Sequence, residues 1–223
     1  MIPPQRDAAF VAAMEAVLDV YGAPPDPRYP LVCFDESGKE LQIPSRPPLP
    51  ARSGRLARQD PEYVRGGSAN LFLAYAPSLG WRHVTVTAQR TAIDWALAMR
   101  ELVEVHFPTA ERITVVLDNL NTHRLSSLYA AFPAAVAHRI AQRLTLCFTP
   151  RHGSWLNMAE VEFSVLKRQC LARRIADAPT LAEEVAAWAA ARNAVAAPAQ
   201  WRFSATDART RLARLYPVPV CDT

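Results

Sequence analysis

Two apolar runs of strand length end in an aspartate, and this pattern constrains the fold more than any other feature of the sequence. Residues 31–34 (LVCF) lead into Asp35, and residues 113–117 (ITVVL) lead into Asp118. Short apolar runs rich in β-branched residues predict buried strands. Ligands of open α/β sheets bind at the carboxyl ends of the strands. Both aspartates are therefore expected at a ligand-binding edge of a sheet.

A third acid, Glu160, lies in the segment 152–160 (HGSWLNMAE), where a helix is predicted to begin. Three carboxylates offer the oxygen ligands that suit Mg²⁺ or Mn²⁺. Two such ions about 3.5 to 4 Å apart can activate the attacking oxygen and stabilise the leaving oxygen of a phosphodiester. We therefore assign Asp35, Asp118 and Glu160 as candidate catalytic residues and metal ligands for two ions, with Asp35 bridging both.

Each of these acids also has a purely structural interpretation. Aspartates commonly follow strands as turn formers, and Asp118-Asn119 alone fits such a turn. Glu160 stands three positions after Asn157, which is the spacing of a capping-box variant at a helix start. Glu162 is a second candidate ligand, although two positions along a helix it would point away from Glu160.

The remaining pattern alternates strands and helices. Helical spacing predicts a connecting helix over 8–20, ended by Gly22 and the prolines after it. A turn at Ser37-Gly38 is expected to follow the first strand, and the β-rich runs 69–75 and 81–88 predict a hairpin. Further helices are predicted over 91–106, 126–143 with a break at Pro133, 155–172 and 180–196, with a last strand over 144–148. In the helix over 91–106, the residues expected to face inward are Ile93, Leu97 and Leu102.

A long loop over 44–67 is rich in proline and arginine. Its only acids are Asp60 and Glu62, and its basic residues are Arg46, Arg52, Arg55, Arg58 and Arg65. A long basic loop inside a compact domain is more often functional than accidental. A solvated surface loop is the alternative.

The motifs around the three acids carry a family resemblance. FDE at 34–36, LDNLNTH at 117–123 and HGSWLNMAE at 152–160 stand in this order, and the chain closes with WRF, DAR and RLYP between 201 and 217. In this order they resemble the DDE transposases of bacterial insertion sequences in the mariner superfamily. The resemblance implies an α/β, RNase H-like fold: a mixed five-stranded sheet flanked by helices. It also implies metal-dependent cleavage at transposon ends and strand transfer into target DNA.

The same resemblance implies an organisation and partners. We expect a connecting helix and linker at 1–27, a catalytic domain at 28–175 with a clamp-like loop at 44–67, and a helical extension at 176–223. Double-stranded DNA is the expected partner, bound by a homodimer, with a separate N-terminal helix-turn-helix partner reading the transposon ends. The expected DNA contacts are Arg46, Arg52, Arg55, Arg58, Asn119, His123, His152, Lys167 and Arg168. For the two histidines and Asn119, the alternative is a role in organising the shell around the metals. For Lys167 and Arg168, the alternative is that they belong to an ordinary solvated face of a helix.

Composition narrows the remaining classes. A net charge of +4 permits nucleic-acid binding without requiring it. No apolar run approaches membrane-spanning length and the N-terminus lacks a secretory layout, so we expect a cytoplasmic, bacterial protein that is nucleoid-associated when bound to DNA. The 4 cysteines include no CxxC pair, which indicates neither zinc nor disulfides. A catalytically inactive remnant and an RNase H-like nuclease are the competing functions.

Overall fold

The computed structural model describes residues 6–47, 49–56 and 60–218. Within these residues five strands form one sheet and seven α-helices cover its two faces. The strands are β1 (Leu31–Pro44), β2 (Tyr63–Ala76), β3 (Trp81–Thr87), β4 (Ile113–Leu117) and β5 (Leu144–Phe148). The helices are α1 (Ala8–Gly22), α2 (Ala92–Glu101), α3 (Leu125–Ala131), α4 (Ala134–Gln142), α5 (Met158–Gln169), α6 (Ala178–Val195) and α7 (Ala205–Arg211). The strand order is β3-β2-β1-β4-β5, and the mixed α/β sheet confirms the expected fold class.

Strand β1 lies at the centre of the sheet and sets the position of both aspartates. It pairs antiparallel with β2 and parallel with β4, and in the parallel pair Cys33 is opposite Val116. Asp35 and Asp118 each come two positions later, so they stand level at the same edge of the sheet. Residues 32–34 are buried on both faces, which explains why this run is continuously apolar rather than alternating.

The turn expected at Ser37-Gly38 is wrong. Strand β1 runs through these residues to Pro44, and Gly38 is opposite Asn70 in β2. Strand β2 pairs with the β1 backbone on both sides of Gly38, so the chain stays extended at Ser37-Gly38. A register shift follows only between Glu40 and Gln42. Because β2 begins at Tyr63, the loop between β1 and β2 is shorter than expected and spans 45–62.

The expected break at Pro133 is confirmed between α3 and α4, but the expected inward face of α2 is partly wrong. Ile93 and Leu97 are 53% and 42% exposed, whereas Trp95, Met99 and Leu102 are buried. Thr91 caps α2 in a capping box with Asp94 as expected, and the side of the helix that packs into the core carries Trp95, Met99 and Leu102, opposite Ile93 and Leu97. Helices α2, α3 and α4 cover this face of the sheet.

The other face of the sheet is covered by α1, α5, α6 and α7. Met14 of α1, Phe163 of α5, Leu181 and Val185 of α6 and Ala208 of α7 belong to one hydrophobic core. The N-terminal helix and the C-terminal helices therefore complete the core on which the third acid's helix rests.

A buried ionic cluster holds α5 against this face. The Glu162 side chain is 4% exposed, and its Oε1 lies 2.9 Å from Nε of Arg82 in β3 and 2.9 Å from Nε of Arg192 in α6. Asn193 binds the Arg82 backbone, accepting from its N–H at 2.9 Å and donating to its carbonyl at 2.8 Å. Glu162 is therefore a structural partner of two arginines on the side of α5 that faces the core.

We expect Glu162→Gln to destabilise the fold by about 3 kcal/mol, because removal of one charge leaves buried Arg82 without its counter-charge. Urea denaturation followed by circular dichroism measures this. Glu183→Gln, at an exposed glutamate on α6, is the matched control. Equal denaturation midpoints for the two variants would contradict the proposed role of the cluster.

Candidate active site

The carboxyl ends of β1 and β4 carry the first two acids of the candidate site. Asp35 is partly buried, and its Oδ1 accepts a hydrogen bond from the backbone N–H of Glu36 at 2.8 Å. Asp118 follows β4 directly, with a side chain that is 36% exposed. Strand alternation places Asp35 on the sheet face covered by α5, where Cys33 also points.

Asn157 brings the third acid to the same edge. This buried residue caps α5: its Oδ1 accepts from the N–H of Ala159 at 3.1 Å, and its Nδ2 donates to the carbonyl of Phe34 at 2.9 Å. Phe34 immediately precedes Asp35, and Glu160 lies in the first turn of α5. One amide side chain therefore links the end of β1 to the start of the helix that carries Glu160.

The capping-box interpretation of Glu160 is wrong. The backbone N–H of Asn157 donates to the carbonyl of Ser154 at 2.7 Å, so it does not need the glutamate side chain. Sequence reasoning treated Asn157 only as a cap, because nothing in the sequence reveals that its amide reaches β1.

Tyr21 supports this helix start and was missed by sequence reasoning. Its hydroxyl donates to the carbonyl of Leu156 at 2.6 Å and accepts from the N–H of Met158 at 3.3 Å. Its ring stacks on Trp201 with centroids 5.1 Å apart. A lone tyrosine at the end of a helix carries no sequence signal for such a role.

The electrostatics place the three acids in one site. Burial raises the pKa of Asp35, and the nearby carboxylates of Asp118, Glu160 and Glu36 raise it further. The hydrogen bond from the Glu36 N–H lowers it, and the resulting pKa is about 7. A carboxyl group whose pKa is raised by neighbouring carboxylates favours a bound cation, which replaces the proton and relieves the repulsion. The donor set consists of hard oxygen atoms and fits Mg²⁺ or Mn²⁺.

His123 lies between two acids rather than on the surface. Its Nε2 is 2.8 Å from Oε2 of Glu36, and its Nδ1 is 2.8 Å from Oδ1 of Asp118. The ring is fully buried and packs near Phe34 and Trp95. Burial alone would lower the pKa of His123, but hydrogen bonds and the charges of Asp118 and Glu36 raise it to about 9. His123 is therefore a protonated bridge at neutral pH.

The buried position of His123 contradicts the expectation that it contacts DNA. The sequence leaves two roles open for this histidine, and the geometry favours the one in the shell around the metals. Glu36, which belongs to the FDE motif, completes this arrangement from the opposite face of the sheet.

The other expected DNA contacts lie on the surface of the described chain, except Arg58, which falls outside the described residues. These exposed residues are Arg46, Arg52, Arg55, Asn119, His152, Lys167 and Arg168. Arg52 and Arg55 are joined by two backbone hydrogen bonds of 3.0 and 2.8 Å, which close a tight turn around Gly54 with its φ of 74°. His152 has a φ of 62° in the turn before Gly153. Arg46 forms an ion pair, with its Nε 3.6 Å from Oδ2 of Asp60.

A sequence profile of the DDE superfamily endonuclease family matches residues 30–182. The chain belongs to the DDE superfamily endonucleases. The matched range contains Asp35, Asp118 and Glu160, although the roles of these individual residues stay predictions. A comparison with curated protein sequences finds no significant match.

Solved structures show that this DDE superfamily chain shares a fold with a mariner transposase. The crystal structure of the Mos1 mariner paired-end complex with Mn matches with a TM-score of 0.59 and 14% identity, over 93% of this chain and 65% of that one. The Mos1 transposase paired-end complex with left transposon end matches with a TM-score of 0.55 and 13% identity, over 86% and 57%. This DDE superfamily chain thus spans less than two thirds of the length of these two chains. The similarity confirms the RNase H-like architecture expected from the sequence.

No helix among the described residues of this DDE superfamily chain has both the length and the apolar character needed to cross a membrane.

We expect Asp35→Asn to raise the melting temperature of the metal-free protein at pH 8 by roughly 2 to 4 °C, the change that about 1 kcal/mol makes in a chain of this size. The pKa of about 7 in the folded protein lies above the ordinary aspartate value of 3.8. Stability is therefore fully present below pH 3.8 and is lost as the pH rises through 7. The neutral amide avoids this loss.

Thermal denaturation in EDTA at pH 5 and pH 8 measures the effect, which should be small at pH 5 because Asp35 is protonated there. Asp19→Asn, at an exposed aspartate in α1, is the control. An Asp35→Asn variant that is less stable than the parent at pH 8 would show that burial and repulsion do not dominate this carboxyl group.

Proposed function

We propose that this chain is the catalytic domain of a DNA transposase that cleaves at transposon ends and joins the freed 3′ hydroxyl to target DNA. One observation carries the proposal: Asp35, Asp118 and Glu160 meet at the carboxyl edge of an RNase H-like sheet within the range that matches the DDE endonuclease family. Its structural neighbours include Mos1 transposase paired-end complexes, one of them with left transposon end.

The three carboxylates would hold Mg²⁺ or Mn²⁺, which supply activation of the attacking oxygen and stabilisation of the leaving oxygen. The matching Mos1 mariner paired-end complexes include one with Mn and one with Mg. Two ions are proposed because in-line displacement at a phosphodiester needs one charge at the attacking oxygen and one at the leaving oxygen. Asp35, on the central strand, is assigned to bridge them.

The protein's own groups set the charge and position of these ligands. Asp35 must lose its proton to bind a cation, and its raised pKa makes this step pH-dependent between about pH 6 and 8. His123 holds Asp118 through Nδ1 and is itself held by Glu36 through Nε2. We assign His123 and Glu36 as positioning residues because both side chains are buried, with exposed fractions of 1% and 6%.

DNA binding is assigned to exposed basic side chains of the loop between β1 and β2 and of α5. Arg52 and Arg55 project from the tight turn of the loop, and Lys167 and Arg168 lie on the exposed side of α5. Basic side chains of this kind bind phosphates without reading sequence. A clamp role of the loop, a homodimer on DNA and recognition of the ends by a helix-turn-helix partner belong to the same proposal.

We expect Asp35→Asn, Asp118→Asn and Glu160→Gln each to reduce strand transfer by roughly 1,000-fold or more. Loss of a metal ligand removes several kcal/mol of transition-state stabilisation, and each 1.36 kcal/mol is about tenfold in rate. The assay joins a duplex ending in the transposon's terminal repeat to a plasmid, with Mg²⁺ or Mn²⁺. Glu183→Gln is the control, and circular dichroism confirms that each variant is folded.

This assay also separates the competing functions. An inactive remnant would bind the duplex and do nothing, whereas an RNase H-like nuclease would cut without joining. Strand transfer that persists in Glu160→Gln would remove Glu160 from the catalytic set.

We expect Arg52→Gln and Arg55→Gln together to lower the slope of log affinity against log salt by nearly 2, because each lost phosphate contact removes about 0.9. Fluorescence anisotropy with a duplex over a salt series measures this slope. The matched control is Arg28→Gln with Arg112→Gln, two exposed arginines that precede β1 and β4 at the opposite edge of the sheet. Equal slopes for the two double variants would show that the turn at 52–55 makes no phosphate contacts and is an ordinary solvated loop.

A further inference from the structure

A second group of possible metal ligands lies away from the acidic edge. His83 of β3, Glu101 at the end of α2 and His106 just beyond it each offer one ligand atom, and these atoms all lie within 4.8 Å of one another. Oε1 of Glu101 is 3.3 Å from Nε2 of His83 and 3.5 Å from Nε2 of His106. Trp81, two residues before His83 in β3, packs on the core of the α2 face, so the group lies on the face opposite Asp35.

A local change of helix type brings the second histidine into this group. Residues 102–106 form a π-helical turn directly after α2, with the N–H of Phe107 bonded to the carbonyl of Leu102 at 2.9 Å. In a regular α-helix, Glu101 and His106 would point roughly 140° apart, because each residue turns about 100°. The wider π turn brings them to the same side, and single π turns of this kind occur frequently at functional sites.

The surroundings of His106 leave one of its ring nitrogens available to a ligand. Burial lowers the pKa of His106, and the neighbouring His83 lowers it further, while Glu101 opposes both. The two imidazole rings are 4.3 Å apart between centroids, and the ring of Trp81 shields His106 at 4.9 Å. Nε2 of His106 is buried and has no hydrogen-bond partner among the described residues. A neutral imidazole therefore directs a ring nitrogen without a hydrogen bond toward the carboxylate.

We propose that His83, Glu101 and His106 form a zinc site that is separate from the catalytic carboxylates. Ligand atoms around tetrahedral zinc, with bonds of about 2.0 to 2.1 Å, lie roughly 3.3 to 3.4 Å apart. The two observed nitrogen–oxygen distances of 3.3 and 3.5 Å match these tetrahedral edges. Two imidazoles and one carboxylate suit Zn²⁺ rather than Mg²⁺, and a water molecule would supply the fourth ligand.

The proposed zinc ion would link the edge strand β3 to the C-terminal end of α2. Without the ion, this end of the sheet relies on one carboxylate shared by two imidazoles. The expectation of no zinc rested on the cysteine spacing alone and did not consider histidines that come together only through the fold.

The test is Zn²⁺-dependent thermal stability of the full chain in excess Mg²⁺, without DNA. In the Asp35→Asn background, which weakens the catalytic carboxylate site, Zn²⁺ should raise the melting temperature by roughly 5 to 10 °C at about 100-fold excess over its dissociation constant. His83→Gln and His106→Gln should each abolish this shift. His138→Gln, at an exposed histidine of α4, should retain it.

Co²⁺ provides a second readout on the same proteins, because four-coordinate Co²⁺ absorbs visible light far more strongly than six-coordinate Co²⁺. The absorption should appear in the Asp35→Asn protein and in His138→Gln and disappear in Glu101→Gln, which keeps the shape of the side chain. If a histidine variant does not fold, Glu101→Gln decides. A Zn²⁺ shift that is absent from the Asp35→Asn protein, or unchanged in Glu101→Gln, would overturn the proposal. Neither readout involves cleavage, so the result is independent of the proposed transposase activity.

Discussion

The active-site geometry depends on the hydrogen bond between the Asn157 side chain and the carbonyl of Phe34. This bond joins the end of the central strand to the first turn of α5, and a buried amide is costly to leave unpaired. On the core side of the same helix, Glu162 is held by Arg82 and Arg192. Positions 160 and 162 point to different sides of a helix, so these two anchorages fix its rotation. Glu160 is thereby directed to the acidic edge.

The acidic edge opposes folding in the absence of metal. Asp35 has a pKa near 7 because it is buried among other carboxylates, and stability is lost as the pH rises from 3.8 to that value, where the unfolded chain has released a proton that the folded protein still holds. His123 compensates for part of this repulsion, since its protonated ring lies between Glu36 and Asp118. Groups destabilised in this way are typical of functional sites, where ligand binding recovers the lost free energy. The packing that brings the acids together would thus make the binding of cations favourable in the proposed function.

Much of the fold could be predicted from local patterns. Apolar runs ending in acids located β1 and β4, and Pro133 separates α3 from α4 as expected, because a proline cannot continue a helix. The errors arose where a distant partner decides. Ser37-Gly38 stays extended because β2 pairs with it, and Ile93 faces solvent because the opposite side of α2, with Trp95 and Met99, packs against the sheet. Neither effect can be read from apolar periodicity alone.

The sequence by itself determined which residues could bind a hard cation. Asp35, Asp118 and Glu160 are carboxylates in recognisable motifs, and residue type and order along the chain are visible without the fold. Tertiary structure alone decided which polar residues serve these acids. It buried His123 between two carboxylates, although the sequence placed this histidine equally well at a DNA surface. It also brought His83 beside residues of another element. Local periodicity indicates on which side of a helix or strand a residue lies. Which residue it contacts on that side depends on the packing of segments that are far apart in the chain.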